Sequence, residues 1–130
     1  MIFDILRQKF RWRSHSRMKM YIAVLDEFPD YMVPTLVAHT VINAHMKFYN
    51  PDWKYSHHDK PLYMDWLENS FKKCVVRVNQ KEFAKIAALP DVYIGHEKKT
   101  LEGRDSCIVI CPREDIPNVL KFAKLWSPKQ

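Results

Sequence analysis

Apolar and polar positions follow two different periods along this chain, and the changes of period predict its elements. Short apolar runs rich in β-branched residues, at 19–25, 73–78, 92–97 and 106–111, predict four strands. After the first of them, apolar residues recur at helical spacing over 34–49, with Pro34 suited to a first turn. The dipeptide Asn50-Pro51 is a typical helix end.

Three further helices are predicted from end signals. A short helix is expected over 59–68. Asn79 and Glu82 have the spacing of a capping box and predict a helix that ends before Pro90. Asp115 as a cap, with proline in the first turn, predicts a last helix through residue 126.

The order of these elements defines a fold class. A strand, helix, strand series requires right-handed crossovers and parallel neighbours, whereas the last two strands are close enough in sequence to pair antiparallel. We therefore expect one α/β domain over 19–130, a mixed four-stranded sheet with helices on both faces, preceded by an N-terminal basic helical arm over 1–18.

Composition narrows the class of protein. Hydrophobic residues make up 47% and only two glycines occur, so the chain is expected to fold. No apolar stretch approaches the roughly 20 residues of a membrane span, and no secretory signal is evident, so we expect a cytoplasmic protein. Cys74, Cys107 and Cys111 all fall in predicted strands and are interpreted as reduced core residues.

The net charge of +6 is concentrated at the N-terminus. Residues 1–19 contain six cations and one acid, which gives +5 and leaves +1 for the rest. The arm has an apolar stripe at helical spacing and predicts an amphipathic helix that packs on the domain, lies on anionic lipid, or follows a phosphate backbone. The candidate RNA contacts are Arg7, Arg11, Trp12, Arg13 and Arg17, with Lys98 beside the later site.

Three stretches carry a resemblance to a known family. They are LDEFPDYMVPTLVAHTVINAH after the first strand, KKCVVRVNQKEF around the second, and HEKKTLEGRDSCIVICP across the last two. In pattern and element order the chain resembles the type 2 peptidyl-tRNA hydrolases over most of residues 19–126. Its compact style, rich in methionine and aromatic residues, also resembles small proteins of T4-like bacteriophages.

The resemblance implies a set of site residues. The histidine of the family motif falls on His39 and its threonine on Thr100. The active-site lysine position falls on Met32, the motif aspartate on His96 and the motif arginine on Lys99. Acidic residues also stand where the family has lysines after the first strand, which predicts repulsion of tRNA phosphate there.

Ester hydrolysis needs a base for a water molecule and donors for the developing oxyanion. His96 is the expected base, since histidine changes its charge near neutral pH, with Thr100 holding the water and Lys99 neutralising charge. The loss of the lysine predicts slow or absent hydrolysis. Simpler interpretations stay open: His39 as a hydrogen-bonded boundary residue and His96 as an exposed side chain.

Other candidate contacts follow from position. Asp26 and Glu27 lie where open α/β sheets bind ligands, although a solvated loop is the simpler interpretation. Asn43 lies one helical turn after His39 and is a further candidate. The adjacent His57 and His58 are a poor metal signal, so no metal is expected. Neither a P-loop nor a GxGxxG element occurs, so no cofactor is expected.

Two functions result from the sequence. The first is a peptidyl-tRNA hydrolase-like protein that binds tRNA or another RNA end, with weak or lost ester hydrolysis. The second is a non-catalytic phage protein that binds a host protein factor, through the arm and the loop around Trp53. A homodimer stays open in both cases.

Overall fold

A five-stranded mixed sheet organises the part of the chain that the computed structural model describes, residues 18–50, 59–97 and 103–129. In space the strands follow the order β3-β4-β1-β2-β5. Their bounds are β1 (Lys19–Leu25), β2 (Lys72–Val78), β3 (Val92–Glu97), β4 (Arg104–Ile110) and β5 (Lys124–Leu125).

Strand direction brings three carboxyl ends to one edge. β1 and β2 are parallel, while β4 is antiparallel to both β1 and β3, and β5 is antiparallel to β2. The strands β1, β2 and β3 therefore run the same way. The loops that follow them lie at the edge where open α/β sheets place ligands.

The helices connect these strands and flank the sheet. A 3-10 turn, Asp30–Met32, leads into α1 (Val33–Phe48). The helix α2 (Asp59–Asp65) continues as a π-helical turn over Trp66–Ser70. The remaining helices are α3 (Gln80–Ala87) and the single turn α4 (Asn118–Lys121).

Alternate residues of β1 enter two different cores. Met20 and Ile22 belong to a cluster with Ala44 and Phe48 of α1, and with Tyr63 and Trp66. Ala23 and Leu25 belong to a cluster with Phe83 and Ile86 of α3 and Leu120 of α4. Because successive side chains of a strand point to opposite faces, α1 and α3 cover opposite faces of the sheet.

The structure confirms the α/β class, and the Asn79–Glu82 capping box is present with both of its hydrogen bonds. The predicted strand at 92–97 has the observed bounds of β3. The predicted arm lies outside the described residues except for Met18, which is buried. No helix in the described ranges is long and apolar enough to cross a membrane.

The C-terminal prediction was wrong in three respects. The last helix ends at Lys121 instead of residue 126, and Lys124–Leu125 forms a fifth strand. Asp115 does not cap it, since Pro117 occupies the cap position and Asp115 pairs with Arg113. The physical reason is the open edge of β2, where the Trp126 N–H donates to the Val75 carbonyl at 2.9 Å.

A close approach between α1 and β3 fixes how the helix lies on the sheet. A Cβ atom added to Gly95 would stand 2.4 Å from Oγ1 and 2.9 Å from Cγ2 of Thr40. Thr40 is buried and its hydroxyl donates to the Leu36 carbonyl at 2.8 Å, so its rotamer is held. Only glycine at 95 lets the helix come this close.

We expect Gly95→Ala to lower the free energy of unfolding by about 1–3 kcal/mol, as overpacking does in other cores. The Gly95→Ala/Thr40→Ala double variant removes the two closest atoms and should lose less than the single changes add up to. Urea unfolding of all four proteins gives the coupling free energy. Additive losses would show that the contact is not the cause.

Candidate functional site

The carboxyl end of β3 carries a buried carboxylate that pairs with a histidine of α1. Glu97 is only 7% exposed. Its Oε2 and Oε1 atoms lie 2.9 Å and 3.2 Å from Nδ1 of His39. The carboxylate accepts from the Nδ1–H, which leaves Nε2 of the ring as the acceptor.

The histidine of this pair is accessible while its partner is not. The His39 side chain is 52% exposed and that of Glu97 9%. The backbone of Glu97 is also held, because the Gly103 N–H donates to its carbonyl at 2.9 Å. An oriented imidazole with one free nitrogen at the surface is the arrangement of a general base.

A buried thiol lies behind the pair and is not reactive. The pKa of Cys107 is raised to about 11, chiefly by burial; hydrogen bonds with Ser106 and Thr40 act in the opposite direction, and the nearby Glu97 charge adds a smaller rise. The thiol is therefore protonated at neutral pH, and a nucleophile must be a thiolate. None of Cys74, Cys107 and Cys111 is in a disulfide bond; Cys107 and Cys111 are buried as predicted, whereas Cys74 is half-buried.

His96, the base expected from the sequence, lies in a separate pair. Its Nδ1 is 2.6 Å from Oδ1 of Asp105 on β4, and the two side chains are 52% and 46% exposed. Exposed pairs of this kind hold a ring weakly. His96 also lines a groove of about 600 Å³ along the free edge of β3, with Lys47 and Tyr93.

The acids after β1 are paired within the chain. Asp26 lies 3.0 Å from both Arg77 and Lys129, and Asp30 lies 3.2 Å from Arg77. Glu27 accepts from Arg104 and from Gln80. Three carboxylates and three cations sum to zero, so the repulsive loop inferred from the sequence is not an uncompensated negative charge.

Arg77 organises this cluster at the carboxyl ends of β1 and β2. Its side chain is 10% exposed, and Nη2 donates to the Ser127 carbonyl at 2.5 Å. Its guanidinium lies 5.2 Å from the ring of Trp126. The adjoining crevice, of about 450 Å³, is lined by both signs of charge, including Asp26, Arg77 and Lys129.

Several expected site residues lie outside the described residues. They are the candidate RNA contacts Arg7, Arg11, Trp12, Arg13, Arg17 and Lys98, together with Lys99, Thr100, His57 and His58. Asn43 is described, and it is half-buried one turn after His39. Among residues 18–50, 59–97 and 103–129, no cluster of three or more potential ligands could hold a metal ion.

The two carboxylate partners, Glu97 and Asp105, were missed from the sequence. A signal for Glu97 was available, because Gly95 faces α1 and a residue two positions later on a strand shares that face. A carboxylate on a buried face needs a partner. The register shift between Gly95 and His96 skips Ser106 of β4, so the alternation along β3 itself is kept.

Comparison with known proteins gives no assignment. No protein-family model matches the chain, and no curated protein is significantly similar to it.

The acid cluster gives a pH-dependent prediction. Hydrogen bonds from Lys129 and Arg77 lower the pKa of Asp26. A carboxyl whose pKa is lower in the folded state stabilises the fold above its ordinary range, and this is lost as pH falls through the folded value. Asp26→Asn should therefore cost up to about 1 kcal/mol at neutral pH and progressively less in acid. Urea unfolding from pH 7 down to pH 3 measures the difference in the free energy of unfolding between the wild type and Asp26→Asn. A difference that does not change with pH would contradict the pairing.

Proposed function

We propose that this protein is a peptidyl-tRNA hydrolase-like protein that binds tRNA or another RNA end, with slow ester hydrolysis based on His39. The observation that supports the chemistry is the His39–Glu97 pair, with Nδ1 and Oε2 2.9 Å apart. The described residues form an α/β fold with a mixed sheet and crossover helices, which is the general class that the resemblance implies.

His39 replaces His96 as the base in this proposal. Both histidines pair with a carboxylate, but Glu97 is buried and held by its strand, whereas Asp105 is half exposed. A base whose partner is fixed by packing stays oriented, and orientation determines whether a proton transfer is productive. The resemblance also implies that the motif histidine is retained at His39, whereas at His96 the motif aspartate is replaced.

The proposed reaction needs one water molecule and two proton transfers through His39. The water oxygen attacks the ester carbonyl carbon while Nε2 of His39 takes its proton. The bond between the carbonyl carbon and the ribose oxygen then breaks, and the imidazolium gives its proton to that leaving oxygen, so the products are a carboxylic acid and the ribose hydroxyl. The Glu97 carboxylate stabilises the imidazolium between these steps, as a positioning residue.

The rate is expected to be low because one electrostatic component is missing. Met32, at the position of the family lysine, packs against the apolar core. Loss of one hydrogen-bond donor to the oxyanion lowers the catalytic rate by on the order of a hundredfold or more. Lys99 and Thr100 follow Glu97 closely in the chain and are the proposed oxyanion and water contacts.

Binding and chemistry are expected to separate along the chain. Residues 1–19, the arm together with Lys19, carry +5 of the net +6, and the paired acids after β1 leave no excess negative charge there to oppose phosphate. Affinity for RNA is therefore proposed to come mainly from the arm. The His39–Glu97 pair would hydrolyse the ester of the RNA that the arm binds.

We expect His39→Ala to lower single-turnover cleavage of an N-blocked aminoacyl-tRNA by on the order of a hundredfold or more, the contribution of a general base. Glu97→Gln should lower kcat by a smaller factor with little change in KM, because it only misorients the ring. His96→Ala is the matched control and should leave the rate unchanged. A rate that depends on His96 and ignores His39 would restore the sequence-based assignment. If the wild type does not cleave this substrate, the hydrolysis part of the proposal is wrong and only RNA-end binding remains.

The electrostatic part is tested by salt titration of tRNA binding. Replacing four arm cations with glutamine should reduce the slope of log K against log salt by up to about 3, since each phosphate contact contributes about 0.7 to 0.9. The replaced residues are Arg7, Arg11, Arg13 and Arg17. The control replaces four exposed lysines of the domain, Lys72, Lys81, Lys85 and Lys121. Equal slopes for the two variants would show that the arm has no special role.

A further inference from the structure

The outer edge of β3 is a long strand edge at one side of the sheet. In the order β3-β4-β1-β2-β5, no strand among residues 18–50, 59–97 and 103–129 pairs with that side of β3. The opposite edge strand, β5, has only two residues, whereas β3 has six. Proteins protect such edges with short strands, lysine or proline. The first four residues of β3 carry neither a charge nor a proline, so this edge is open to pairing.

The backbone groups on this edge can be assigned. The Cys111 N–H donates to the Asp91 carbonyl at 3.0 Å, so Asp91 directs its carbonyl toward β4. The ladder between β3 and β4 is regular from Val92 to Gly95. Because backbone direction alternates along an antiparallel strand, Tyr93 faces β4, whereas Val92 and Ile94 face away from it. The edge therefore presents the N–H and C=O groups of Val92 and Ile94 to a further strand.

A groove of about 600 Å³ lies along this edge and has a wall on each face of the sheet. Lys47 and Phe48 of α1 line it on one face. Ala87, the last residue of α3, and Leu89 line it on the other. Since both faces are walled, the open space is at the edge of the strand itself, where one more strand would lie in the plane of the sheet.

The sequence of β3 is complementary to itself. When two copies pair antiparallel about a two-fold axis at Ile94, this isoleucine lies opposite its own copy and exchanges both backbone hydrogen bonds with it. Tyr93 then lies opposite Gly95, which has no side chain to oppose the ring, and an aromatic residue across from a glycine stabilises an edge pair. An axis at Tyr93 would instead bring two rings opposite each other and pair fewer residues of the strand.

Net charge does not oppose this contact. Residues 1–19 carry +5 of the net +6, so the rest of the chain, which includes β3, carries only +1. Two nearly neutral domains repel each other weakly. The one acid of the strand, Glu97, is already paired with His39. A second copy of this chain is therefore a partner that matches the edge in backbone, side chains and charge.

We propose that this protein forms a homodimer by antiparallel pairing of β3 with β3 of a second copy, with Ile94 on the two-fold axis. The two five-stranded sheets then form one continuous sheet of ten strands. The axis is perpendicular to that sheet, so both copies of α1 lie on the same face. The two Glu97 residues are then about 20 Å apart, because each lies three residues along its strand from the axis. The dimer does not rest on the proposed hydrolysis.

Hydrogen exchange of the wild type tests the pairing without any substitution. In a monomer the Ile94 amide faces away from β4 and exchanges fast, whereas the Tyr93 amide is protected by β4 in either state. We expect protection of the Ile94 amide to rise on the order of tenfold or more as the protein concentration passes the dissociation constant of the dimer. An Ile94 amide that exchanges fast at every concentration, or a wild type that sediments as a monomer, overturns the proposal.

Charge substitutions on the axis test the register by sedimentation. Ile94→Lys and Ile94→Glu each place like charges directly opposite each other, and each should raise the dissociation constant of the dimer on the order of a hundredfold. An equimolar mixture of the two variants should restore the dimer, because opposite charges then face each other. Restoration is specific to a residue that faces its own copy, and it also shows that both variants fold. Ile42→Lys, at an exposed isoleucine of α1, is the matched control and should stay dimeric.

The outcomes separate this dimer from its alternatives. A dimer that persists in Ile94→Lys, or a mixture of folded variants that stays monomeric, overturns the proposal. Dissociation by Ile42→Lys but not by Ile94→Lys would place the contact on α1 and also overturns it. If circular dichroism shows that either axis variant does not fold, the hydrogen exchange of the wild type decides.

Discussion

The close contact between Thr40 of α1 and Gly95 of β3 positions the residues of the candidate site. It sets α1 against β3 at a distance that a single methyl group would prevent. His39 is the neighbour of Thr40 in the helix, and Glu97 lies two positions after Gly95 on the same strand face. Once the packing contact is made, the histidine and the carboxylate are brought together by the same register.

The pair that results has a structural reason as well as a chemical one. A carboxylate as buried as Glu97 costs several kcal/mol unless it is paired and hydrogen-bonded. His39 supplies that hydrogen bond from a ring that still reaches solvent. His39, the partner that the buried Glu97 requires, is therefore also an oriented base. Selection for stability alone would keep the geometry on which the proposed chemistry depends.

The sequence predicted the elements whose cause is local. The four longer strands follow from apolar runs, and α3 follows from a cap that both Asn79 and Glu82 complete. The C-terminal segment could not be predicted in this way. Its apolar spacing is helical, but the free edge of β2 offers backbone partners and Arg77 offers a charged contact, and both depend on tertiary structure.

The candidate site shows the same division between local and tertiary causes. The histidines were found as residue types, but their partners Glu97 and Asp105 belong to strands whose register the sequence does not state. The charge of the loop after β1 was misjudged for a related reason, since Arg77, Arg104 and Lys129, which pair with its acids, are distant in the chain.

The paired acids after β1 and the excess cations of the first residues have different effects on the protein. Asp26 and Asp30 pair with Arg77 and Lys129 and so help to hold the C-terminal segment. Because their charge is neutralised by these pairs, they contribute little to the electrostatic potential around the protein. The excess positive charge is left in the first residues of the chain. Because long-range attraction follows net charge and local chemistry follows geometry, affinity for an anionic partner and catalytic rate are expected to respond to different substitutions in this protein.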